Sequence, residues 1–83
     1  MPVTVVVPQF NKGDRVRLRY PIRHINPDTK EVLYFYPAGA EGVIERVTIH
    51  TGSLNQVVFY ALVMGDGHMM VVSELGNQIE LVN

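Results

Sequence analysis

The residues of this 83-residue chain whose types could do chemistry are three histidines, His24, His50 and His68, and the carboxylate of Asp66 beside the last of them. A histidine next to a carboxylate is the elementary acid–base pair. Here, however, Gly65-Asp66-Gly67 has the composition of a tight hairpin turn, which accounts for the aspartate, and no neighbour supplies a nucleophile or an oxyanion donor. The histidines stand 26 and 18 residues apart in a chain without cysteine, whereas zinc ligands come in closer pairs. No catalytic residue, metal or cofactor is therefore expected, and the chain is read as a non-enzyme. Gly39 and Gly42 do not join a strand to a helix as a phosphate loop would, and turn geometry accounts for both. Met64, Met69 and Met70 surround the last turn and read as gap-fillers in a small core.

Binding is the chemistry the composition favours. Arg15-Val16-Arg17-Leu18-Arg19-Tyr20 alternates strictly, so Val16, Leu18 and Tyr20 share one face and the arginines the other. The plain reading of that arginine face is a solvated surface. The functional reading is a strip for carboxylates or phosphates. Residues 1–30 carry a net charge of +4 and residues 31–83 a net of −5, against −1 for the whole chain. A general polyanion binder would be basic overall, so the asymmetry points to charge-complementary docking. The candidate contact residues are Arg15, Arg17, Arg19, Arg23, His24, Tyr34 and Tyr36, with the tyrosines as amphipathic anchors. A protein partner or larger complex is the first expectation. Nucleic acid, held by the basic strand 15–19 with a stacking tyrosine, is the alternative.

The elements that must position these residues are strands. The stretch Tyr36–Val47 is central: a turn on Pro37, Gly39 and Gly42 feeds a β-branched strand. Ile44 and Val47 are three apart, so a bulge near Glu45-Arg46 is expected if both face the core. Val57–Met64 is an apolar octad, too short for a membrane span and suited to an interior strand. Gly65-Asp66-Gly67 turns it into His68–Val72. Ser73-Glu74-Leu75-Gly76 suits one capped helical turn, and Gln78–Val82 closes as the last strand. Tyr20–Tyr36 forms a long excursion with Arg23–Lys30 at its tip, where Asn26-Pro27-Asp28 has type I turn chemistry. In its returning strand Tyr34 and Tyr36 share one face and Leu33 and Phe35 the other, so one pair is left exposed unless a partner covers it.

The whole is a single all-β domain over residues 1–83. It is expected to be a small SH3-like barrel of about five strands with a long first loop and a one-turn helix before the last strand. An open barrel of the OB type is the alternative, disfavoured by the lack of an inter-strand helix. Residues 1–9 form an N-terminal arm in which Val3–Val7 reads as an edge strand. That arm either covers the barrel or pairs with a second copy as a homo-oligomer. It lacks a basic flank and stops at Pro8, so no secretory or membrane segment is expected and a soluble, cytoplasmic protein is.

Lys12-Gly13-Asp14-Arg15-Val16-Arg17-Leu18, His24 and Pro27 in the long loop, Gly39-Ala40-Glu41-Gly42-Val43-Ile44 and Ser73-Glu74-Leu75 follow one another in an order that resembles a group of SH3-like barrels of the electron-transport accessory type. The variable chain of ferredoxin–thioredoxin reductase is the nearest of these. A small stromal subunit of photosystem I, the nitrile hydratase β-subunit barrel and the type II dihydrofolate reductases belong to the same group. The resemblance covers residues 11–82 and implies an accessory subunit without a cofactor that supports a catalytic partner. The dihydrofolate reductases carry Val-Gln-Ile-Tyr where this chain has Met69-Met70-Val71-Val72, a departure that argues against their activity.

Overall fold

A computed structural model describes residues 7–82. Among these residues seven strands form, β1 (Arg15–Leu18), β2 (Ile22–Ile25), β3 (Val32–Tyr36), β4 (Glu41–Thr51), β5 (Gln56–Met64), β6 (Met69–Ser73) and β7 (Ile79–Leu81), with one 3₁₀ turn (Glu74–Gly76) before the last. The protein is all-β. Five strands make an antiparallel sheet in the order β6-β5-β4-β1-β7, and β2 and β3 make a separate two-stranded sheet. Among the described residues β6 and β7 do not pair, so the closed barrel expected from the sequence is not formed by strand pairing. Val3–Val6 of the expected arm lie outside the described residues.

Alternation decides which side chains enter the core. Val16 and Leu18 of β1, Val58, Tyr60, Leu62 and Met64 of β5, and Met70 and Val72 of β6 are buried, joined by Ile44 and Ile79. Each such side chain contributes about 1.5–3 kcal/mol on burial. The expected bulge is present: the β4–β5 register shifts between Ile44 and Arg46, which returns Val47 to the core face. The methionines divide, because Met64 and Met70 fill the core while Met69 points outward.

Two local expectations change. Tyr20 does not continue the Val16–Leu18 face. β1 ends at Leu18, the Arg19 N–H turns to the Gln78 carbonyl (2.7 Å), and Tyr20 is left half-exposed in a bend before Pro21. Gly42 is not a turn glycine. Gly39 takes the left-handed φ of 91° in the Pro37–Ala40 turn, whereas Gly42 is buried within β4 opposite Met64. A Cβ there would lie 2.8 Å from the Met64 Sδ and 3.0 Å from the Val63 carbonyl oxygen, so close strand packing is what requires glycine.

Candidate functional site

The long excursion is more ordered than a loop. Arg23 and His24, expected at its tip, lie on β2 and pair with Phe35 and Tyr34 of β3. The tip is Asn26–Glu31. There the Asn26 side-chain oxygen accepts from the Asp28 N–H (2.9 Å), its N–H donates to Glu31, and Lys30 takes a positive φ. This hairpin has two unlike faces.

The inner face carries Ile22, Tyr34 and Tyr36, which pack against the core. His24 stacks on Tyr34 with ring centroids 5.3 Å apart, and Tyr34 meets His68 at 4.5 Å. The Tyr36 hydroxyl donates to the Asp66 carboxylate, 2.8 and 2.9 Å from its two oxygens. Asp66 and His68 belong to the β5–β6 turn, so that turn clamps the base of the hairpin. Within the turn, the His68 N–H donates to Asp66 Oδ1 (3.0 Å).

This geometry fixes the protons. Partial desolvation, then the hydrogen bond to Asp66 and that carboxylate's charge, push the Tyr36 phenol up to about 12. The His68 backbone N–H, then the Tyr36 hydroxyl, hold the Asp66 carboxyl below the ordinary carboxylate range. Both shifts lead away from neutrality, whereas an acid–base catalyst is tuned toward it. The sequence offered Asp66 and His68 as neighbours around a turn that accounts for the aspartate, and nothing local marks the contact with Tyr36, thirty residues away.

The outer face of the hairpin presents Arg23, Leu33 and Phe35 to solvent, with Val32 near the tip. Leu33 and Phe35 are 54% and 56% exposed. The other arginines do not join this surface. Arg15 and Arg17 lie on the outward face of β1 and meet carboxylates of the flanking strands, Glu41 of β4 at 3.8 Å and Glu80 of β7 at 3.1 Å. Arg19 donates to the Asn77 side-chain oxygen (3.2 Å) and sits 5.9 Å from the Tyr20 ring centroid. Of the seven candidate contact residues, the structure gathers His24, Tyr34 and Tyr36 into one cluster and sets Arg23 on the opposite face of the same hairpin. Arg15, Arg17 and Arg19 stay along β1 and its end. His50 lies apart on β4, edge-on to Phe59 at 6.2 Å.

No protein family, curated protein or solved structure matches this chain. The site therefore stands on its own geometry. Among the described residues no three histidine, aspartate or glutamate side chains gather as metal ligands, and no helix is long and apolar enough to cross a membrane.

Proposed function

We propose that this protein is a non-enzymatic docking module, an accessory chain that binds a protein partner through the outer face of the β2–β3 hairpin. The observation that carries the reading is the exposure of Leu33 and Phe35 beside Arg23 on a hairpin whose inner face is pinned to the sheet. A mobile loop would lose ordering entropy on binding, and a clamped hairpin has already lost most of it. An aromatic and an aliphatic side chain beside one guanidinium match a partner surface with an apolar pocket rimmed by a carboxylate.

An SH3-like arrangement is part of the proposal. Its support is the strand order β6-β5-β4-β1-β7, the hairpin inserted between β1 and β4, and the 3₁₀ turn capped by Ser73 before β7. The nucleic-acid alternative is weakened by the carboxylates facing Arg15 and Arg17.

The test is capture from a lysate of the source cells with the folded chain as bait, beside the double variant L33D/F35D. Both side chains are exposed, so the variant should keep its far-ultraviolet circular dichroism spectrum. A discrete protein held by the natural chain after nuclease treatment and lost by the variant supports the reading. Identical capture by both chains, or capture that disappears with nuclease, overturns it.

A further inference from the structure

We propose, resting on the docking role of the β2–β3 hairpin, that Lys30 at its tip is a second charged contact of that surface and pairs with a carboxylate of the protein partner. Five described residues have a left-handed φ. Three are glycines, Gly13, Gly39 and Gly67, and a fourth is Asn77, the C-cap of the 3₁₀ turn. Those residue types accept such a backbone, glycine because it lacks a Cβ and asparagine because its short amide bonds locally. The fifth is Lys30, with φ 63°. There a Cβ crowds the carbonyl oxygen that follows it.

The conformation belongs to the turn and not to the lysine. The Lys30 N–H donates to the Asn26 carbonyl and the Asn26 N–H to the Glu31 carbonyl, both at 2.8 Å. Glycine at position 30 makes the same two bonds without the strain. Nothing within the described residues offsets that strain either: the Lys30 ammonium makes no hydrogen bond and has no carboxylate within 4 Å. A bulky residue held in a costly conformation, with no contact of its own, points to a use outside the fold.

Its place gives that use. Lys30 comes two residues before β3, the strand that presents Leu33 and Phe35 to solvent. At the far end of that apolar pair Arg23 stands opposite Phe35. Lys30 and Phe35 are five residues apart, so at about 3.3 Å per residue the two cations bracket the pair at up to about 17 Å. A partner whose apolar pocket has a carboxylate on each side matches this spacing. A polyanion does not, because the same tip carries Asp28 and Glu31, which a phosphate backbone repels.

Three substitutions separate strain from charge. The probe is the purified protein that the natural chain captures after nuclease treatment and that L33D/F35D loses. Lys30→Gly removes both strain and ammonium. Its melting temperature should rise by a few degrees, and it should bind the probe about fivefold more weakly, the loss of one exposed ion pair. Lys30→Gln keeps the strain and removes the charge, so it should show the same weakening at an unchanged melting temperature. Lys30→Arg keeps both and should bind as the natural chain does. A Lys30→Gly variant no more stable than the natural chain overturns the proposal, as does weakened binding by Lys30→Arg. Full binding by Lys30→Gly and Lys30→Gln, with L33D/F35D still inactive, overturns it as well and leaves the docking role standing. If no captured protein depends on Leu33 and Phe35, the docking role falls and this contact with it.

Discussion

The Tyr36–Asp66 contact is where single residues control the shape of the proposed docking surface. It ties β3 to the β5–β6 turn, and its two ends titrate far apart. The carboxyl of Asp66 is depressed in the folded state, so its contribution to stability is complete above the ordinary aspartate value of about 3.9. That contribution is lost as pH falls through the depressed folded value. The Tyr36 phenol is raised, so its contribution is complete below the ordinary tyrosine value of about 10 and lost as pH rises toward about 12. Thermal unfolding followed from pH 2 to 12 should therefore show losses at both extremes that Asp66→Asn removes at the acid end and Tyr36→Phe at the alkaline end. Unchanged profiles in the two variants would mean that the clamp does not hold the hairpin. Sequence alone could not reveal this contact. Tyr34 and Tyr36 were legible as one face of a strand from their parity. Which face turned inward, and what it met there, depended on a turn thirty residues further along the chain.

At the scale of elements, more was legible, because strand alternation and turn chemistry are local. The bulge near Glu45 followed from the spacing of Ile44 and Val47, and the interior strand β5 followed from its apolar run. The turn at Asp66 and the cap at Ser73 followed from residue type. β2 was missed because Ile22–Ile25 is short, bordered by Pro21, and stabilised by its pairing with β3 rather than by its own composition. Gly42 was misassigned for a similar reason: the crowding that demands glycine comes from Met64 across the sheet. Gly42→Ala should consequently destabilise the protein by about 1–3 kcal/mol, the range for overpacking a filled interior. Gly65→Ala is the comparison, since a Cβ at Gly65 meets nothing within 4 Å and its φ is not in the left-handed region. Chemical denaturation of both variants checks this, and equal stabilities would remove close packing as the reason for Gly42.

For the molecule as a whole, the arrangement of strands decides what the uneven charge does. The basic first third and the acidic remainder would make a two-faced particle if each folded apart. Instead β1 lies between β4 and β7, and its arginines are set against Glu41 and Glu80. Exposed pairs of this kind contribute less than about 1 kcal/mol each to stability. Their larger effect is on the field: they cancel the strip that phosphates would otherwise meet. The double variant E41Q/E80Q should thus fold with stability within about 1–2 kcal/mol of the natural chain. It should also gain affinity for a mixed-sequence oligonucleotide that the natural chain lacks at moderate salt. That gained binding should fall with salt at a slope set by the two or so released arginines, about −2 on logarithmic axes. Fluorescence anisotropy across a salt series measures both quantities. Binding by the natural chain with the same steep salt dependence would show that the carboxylates do not neutralise the strip, and would transfer the docking surface from the hairpin to β1. Binding that emerges only in the variant would identify Glu41 and Glu80 as the residues that keep an arginine-bearing strand from acting as a polyanion site, leaving Leu33 and Phe35 as the surface open to a partner.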